Sequence, residues 1–167
     1  YIELLSIMQQ PYWEMVEYEV ADNWWHSEDY FNVPLDDYMN AIRKAIEEGY
    51  TMSIGGDVSE AGFLRTTNCA MIPTFDIPSE FIDENARQFR FSNHTTTDDH
   101  GMHLVGYLKD GDDYWYLIKD SSSGSRNLDE DDPAFGYYFF HEDFIKLKMM
   151  NISIHKEAIK GLLKKLK

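Results

Sequence analysis

One cysteine, Cys69, is all that 167 residues contain, so no disulfide can form within the chain and the redox setting stays open. No apolar run reaches the roughly 18 residues that a membrane-spanning helix needs. Basic side chains are scarce, with 15 Lys and Arg against 30 Asp and Glu and a formal charge of -15, which gives the field around the chain the wrong sign for nucleic acid. No Gly-x-Gly-x-x-Gly, Walker loop, His-Glu-x-x-His or Gly-x-Ser-x-Gly occurs, and Ser121 to Ser123 read as turn residues rather than a nucleophile elbow. Internal repeats and heptad arrays are absent. A charged and apolar leader is also missing, and the start at Tyr1-Ile-Glu rather than Met reads as a trimmed beginning.

What the chain does have is 43% hydrophobic and 15% aromatic residues, enough for one sizeable core and one domain. Residues 1 to 33 form an aromatic-rich lead-in without sustained periodicity, read as a short helix followed by extended chain. From Pro34 onward, Leu35, Tyr38, Met39, Ile42, Ala45 and Ile46 recur at spacings of three and four, and Gly49 closes that helix. Tyr50 to Val58 reads as a buried strand, approached closely or bulged at Gly55-Gly56. After a long excursion over 59 to 99, with a helical turn near Pro78 to Ala86, strands are predicted at about 101–108, 113–120, 136–140 and 148–154. A helix with Lys156, Lys160, Lys164, Lys165 and Lys167 on its solvated face and Ala158, Ile159, Leu162, Leu163 and Leu166 on its buried stripe follows. This order predicts an α+β fold: an antiparallel, half-open β-barrel with flanking helices, occupying residues 34–167.

Chemistry concentrates in His100-Gly-Met-His-Leu-Val-Gly-Tyr107 and Tyr114-Trp-Tyr-Leu-Ile-Lys-Asp120. A Gly-Asp turn between two β-prone runs makes a hairpin, which returns the chain to its starting end and brings His100 and Asp120 together. An imidazole can face a nucleophile with one nitrogen and an acceptor with the other, so His100 suits a general base and Asp120 its orienting partner. The residues by themselves leave open the alternative of a surface histidine and a turn-starting aspartate. Strand alternation puts His103 on the opposite face from His100, which disfavours a two-histidine metal site. The run Asp129 to Asp132 lacks the alternation and glycine of a calcium loop. His26 and His94 read as polar surface or packing residues, and neither metal nor cofactor is expected.

Those same two runs resemble the catalytic second half of papain-like cysteine peptidases, in which a His-Ala-x-x-x-x-Gly-Tyr strand is followed by a Lys-Asn-Ser-Trp-Gly segment. Tyr38 to Val58 is similar to that family's Lys-Ala-Ile helix and following strand, and Phe135-Gly-Tyr-Tyr-Phe-Phe140 to its Asn-Gly-Tyr strand. Gly55-Gly-Asp-Val-Ser59, Glu142-Asp-Phe144 and the continuation to Lys167 look most like the bleomycin hydrolase and aminopeptidase C branch. The resemblance covers residues 34 to 160. It implies peptide-bond hydrolysis, with His100 as general base and ion-pair partner and Asp120 in the place of an orienting Asn. Asp99, Gly101 and Ile54 fall where that family lines its substrate cleft.

The sequence departs from the family at several points. Asp120 gives a charged acceptor for a neutral amide, and Ser122 stands where a tryptophan covers the orienting pair, so a wetter or degraded site is expected. The Cys-Gly-Ser-Cys-Trp signature is absent, and Cys69 has none of its neighbours. The resemblance therefore implies partners: a peptide substrate, and a first-half lobe outside this chain that carries the nucleophilic Cys. It also makes a homo-oligomer an expectation, although the lysine-rich tail departs from its relatives' pattern. A cytoplasmic setting follows if the protein is like bleomycin hydrolase, with an exported form left open. Two rival readings are a non-catalytic peptidase-like binding module and an acidic structural domain alike in one hairpin only.

Overall fold

In the computed structural model, residues 1–122 and 131–167 are described. Fourteen elements follow one another: β1 (Ile2–Leu5), β2 (Glu14–Val16), β3 (Tyr30–Asn32), α1 (Leu35–Glu47), β4 (Met52–Gly56), β5 (Phe63–Leu64), β6 (Cys69–Ala70), α2 (Glu84–Ser92), β7 (His100–Asp110), β8 (Asp113–Lys119), β9 (Tyr137–His141), α3 (Glu142–Lys148), β10 (Met149–Ile154) and α4 (Lys160–Leu163). Short 3-10 turns occupy Ala21–Asn23, Ser79–Phe81 and Lys156–Ile159. The strands form one sheet in the order β2-β3-β1-β10-β4-β7-β8-β9-β6-β5. Its two outer strands do not pair with each other, so the sheet is open and barrel-like in a mixed α+β fold. Pairing is antiparallel except between β1 and β3 and between β6 and β9.

The helix after Pro34 forms as its spacing predicts. Tyr38, Ile42 and Ala45 have no exposed surface, Leu35, Met39 and Ile46 are nearly as buried, and all pack into the main core with the inward faces of β4, β7, β8 and β9. Each large side chain so buried contributes about 1.5–3 kcal/mol. Asp36 and Asp37 in the first turn and Lys44 in the last complement the helix dipole. Gly49, at φ +87, reverses the chain into β4.

Three expectations change. The start of the chain is a strand rather than a helix, and residues 1–33 supply β1, β2 and β3 to the sheet. Leu4 joins the main core while Leu5 joins a second cluster with Tyr18, Phe91 and Met150, so β1 is covered on both faces and shows no alternation. Next, β10 does not extend a meander from β9; α3 carries the chain across, and β10 inserts between β4 and β1. Last, the basic tail is a 3-10 turn followed by a four-residue helix. In it Ile159 is buried, Leu162 and Leu163 are partly so, and Leu166 is exposed.

Two devices lock β10 in place. Arg87 of α2 is buried, and its guanidinium donates to the carbonyls of Ser6 at 2.9 Å, Lys146 at 2.6 Å and Met150 at 3.1 Å, tying β1, α3 and β10 together. At Gly56 the backbones of β4 and β10 touch. A Cβ there would lie 2.2 Å from the Lys148 carbonyl oxygen and 2.7 Å from Met149 Cα, which only glycine avoids. The β4–β10 register shifts between Met149 and Asn151, at the same place. Gly56→Ala is therefore expected to lower stability by about 2–3 kcal/mol. Gly101→Ala, whose Cβ would meet nothing within 4 Å, should stay within about 0.5 kcal/mol of the parent; urea titration of both variants checks the contrast.

Candidate active site

His100 opens β7 directly opposite Gly56 of β4, and the Asp99 amide donates to the Gly56 carbonyl at 3.0 Å. On its other side β7 pairs with β8, through a hairpin whose turn residue Gly111 has φ +63. Asp120 follows the last residue of β8, and its amide donates to the Gly136 carbonyl at 2.8 Å. Gly136 takes φ +76, and a Cβ on it would stand 3.0 Å from the Asp120 carbonyl oxygen. Strand ends on both sides thus fix the two backbones before any side-chain bond forms.

The predicted pair meets. His100 Nε2 lies 2.7 Å from Asp120 Oδ1, with the histidine side chain 23% exposed and the aspartate side chain 2%. Ser122 donates its amide to Oδ1 at 2.9 Å and its hydroxyl to Oδ2 at 2.8 Å. Burial pushes the Asp120 carboxyl up, but the Ser122 amide, the imidazole and the Ser122 hydroxyl outweigh it and hold the group below the usual carboxylate range. The carboxylate is thus the acceptor and Nε2 the donor. The wetter site expected from Ser122 is not found at the aspartate, whose side chain is 2% exposed, because Ser122 covers the carboxylate through its own hydrogen bonds.

The three cleft positions fare differently. Gly101 is exposed, with open space where a side chain would stand. Asp99 is exposed, but its carboxylate clasps a neighbouring loop, accepting from the Val58 amide at 3.0 Å and from the Ser59 hydroxyl. Ile54 has no exposed surface, because alternation along β4 turns Met52 and Ile54 into the core; it offers nothing to a ligand on this chain.

Sequence reading missed the residues that hold the His100 loop. Asp57, buried, accepts from the Ser59 amide at 2.9 Å and from the Thr97 amide at 2.8 Å. The first of these is an Asx turn, which the Asp-Val-Ser order could have signalled. Lys148, also buried, donates to the Glu60 carboxylate, to the Thr95 carbonyl at 3.1 Å and to the Thr96 hydroxyl at 3.1 Å. Asp98, two residues before His100, accepts from the Asn151 amide group at 3.2 Å. Burial first, then nearby Asp22 and Asp99, push its carboxyl up to about 6.

The other titratable candidates stay apart. His103 lies exposed on the opposite face, and Cys69 sits in β6, with β8 and β9 between it and β7. Among the described residues no group of three metal-binding side chains occurs. Ser123 to Ser125 and Asp129-Glu130, which complete the predicted serine turn and the acidic run, lie outside the described residues.

No family model matches the chain, and no curated protein matches it in sequence. Among solved structures, PepW from Lactobacillus rhamnosis HN001 (DR20) superposes on it with a TM-score of 0.71 and 15% sequence identity. The match covers 99% of this chain and 37% of PepW, so the chain spans just over a third of that protein's length. The likeness is distant and shows a shared fold.

Two stability measurements test these electrostatics. Asp120 has its native pKa lowered, so its contribution is present above the unfolded value and lost as pH falls through the native one. Asp120→Ala should cost about 2 kcal/mol at pH 7, a deficit that shrinks in strong acid. Asp98 has the opposite sign: its contribution is complete below the unfolded value and lost as pH rises through about 6. Asp98→Asn should gain about 2 kcal/mol at pH 7 and nothing at pH 3.

Proposed function

We propose that this chain is the barrel lobe of a papain-like cysteine peptidase of the aminopeptidase C type, which hydrolyses peptide bonds in the full-length protein. The observation that carries the reading is the His100–Asp120 hydrogen bond of 2.7 Å, formed between two strand ends and anchored on a buried carboxylate. The shared fold with PepW and the sequence resemblance from residue 34 to 160 support it. The nucleophile comes from outside this chain, since Cys69 lies across the sheet.

In this mechanism Asp120 fixes the imidazole through Nε2, which directs Nδ1 toward an incoming thiol. His100 takes the thiol proton, and the imidazolium stabilises the thiolate and lowers its pKa. Attack on the substrate carbonyl forms the carbon–sulfur bond. Nδ1 then gives its proton to the departing amine as the peptide bond breaks, and takes one from the water that releases the acyl group. Asp120 stays ionised throughout, holding one tautomer and offsetting the positive charge on the ring. Gly101, with free space in front of it, leaves room for an extended peptide beside His100.

The test uses full-length protein and an irreversible thiol-reactive peptide inhibitor. Labelling of the nucleophile should slow by about 100-fold or more in His100→Ala, and less in Asp120→Asn, which keeps an acceptor for Nε2. Labelling that proceeds equally without His100 would remove the histidine from the chemistry and leave a peptidase-like binding module.

A further inference from the structure

The loop between β2 and β3 has no part in the peptidase chemistry, yet it exposes two adjacent tryptophans. Trp24 and Trp25 are 77% and 59% exposed, with rings edge to face at 5.6 Å. Neither is exposed through looseness. Buried Asn23 donates to the Tyr18 and Ser27 carbonyls at 3.0 Å each and accepts from the Ser27 amide at 2.9 Å. His26, at φ +57, bonds Glu17 at 2.5 Å. A loop knotted in this way holds both indoles out in water, which costs free energy unless something covers them.

The surroundings select what that cover is. The first Lys or Arg in the sequence is Arg43, so the stretch that holds the two indoles carries Glu17, Glu19, Asp22, Glu28 and Asp29 and no Lys or Arg. A recess of about 640 Å³ runs along the loop, walled by Glu17, Glu19, Val20 and Trp24. Glu17 and Glu19 bring two carboxylates to the recess beside Trp24. The chain also displays the matching recognition internally, on a tryptophan. Lys165 Nζ sits 4.3 Å over the Trp13 ring and 3.0 Å from the Asp37 carboxylate. Among the described residues no Lys or Arg lies over Trp24 or Trp25, which have the same ring and the same charge beside them.

We infer that the Trp24–Trp25 loop is a docking surface for an arginine-rich peptide segment, whose guanidinium groups stack on the indoles and pair with the carboxylates around them. Arginine fits better than lysine, because its planar, weakly hydrated guanidinium can lie flat on an indole while its edge bonds a carboxylate. The surface needs neither His100 nor a thiol.

Fluorescence anisotropy of labelled hexa-arginine, titrated with this chain, tests the inference. Trp24→Ala with Trp25→Ala should weaken binding about tenfold, and Phe at both positions should recover most of it. Glu19→Gln with Glu28→Gln, both exposed positions, should weaken binding and flatten its salt dependence. The matched charge change Asp110→Asn with Asp113→Asn, at the β7–β8 turn, should alter affinity by less than about twofold. An alanine pair that binds as tightly as the parent would overturn the proposal. So would a turn variant that loses as much as the loop variant, because overall charge alone would then explain the binding.

Discussion

The position of His100 depends on one contact between backbones. At Gly56 the chain of β4 lies against Lys148 and Met149 more closely than any side chain would allow. That contact sets the Asp57 amide 3.1 Å from the Lys148 carbonyl, places the Gly56 carbonyl against the Asp99 amide, and aligns Gly56 with His100 across the β4–β7 pair. Around it Asp57, Asp99, Ser59 and Thr97 join the two loops that flank the histidine. Two residues after Gly56 on one strand and one residue before His100 on the other, the chain is held by hydrogen bonds rather than by apolar packing. A rigid scaffold of this kind keeps an imidazole oriented without burying it.

Buried cations are managed by two different means. Lys148 has a carboxylate, a carbonyl and a hydroxyl for its three donors, so its charge and its hydrogen bonds are both met. Arg87 has no carboxylate among these partners. It reads the carbonyls at the end of α3, where the helix dipole is negative, and lies 5.2 Å over the Tyr38 ring. Burial lowers its affinity for a proton, while the tyrosines around it work in the opposite direction. Each cation secures β10 at its first turn of chain, the segment on which the glycine contact rests.

The parts of the fold that sequence revealed are those with one wet face. In β8, Tyr114, Tyr116 and Ile118 are buried while Trp115, Leu117 and Lys119 are less so, and this alternation, with glycine at the turn, made the hairpin and its His100–Asp120 closure readable. Helix α1 was legible for the same reason at period 3.6. Strands β1 and β3 were not, because Leu4 and Leu5 enter different cores and Phe31 and Asn32 are both buried. Ile54 departs from the cleft position that the resemblance implies, because alternation along β4 turns it into the core. The loop clasp at Asp57, Ser59 and Asp99 escaped because its partners are some forty residues apart, and nothing local announces such pairing.

The placement of β1 carries a consequence for biosynthesis. Its partners are β3, nearby in sequence, and β10, whose Ile154 faces Ile2 across nearly the whole length of the chain. While a ribosome is still adding residues up to Asn151, one side of β1 has its amides and carbonyls open to solvent and to other nascent chains. Completion of the sheet on that side waits for β10 to emerge, a closure across about 150 residues. Until that moment Leu4, Leu5 and Arg87 lack the cover and the carbonyls that β10 brings.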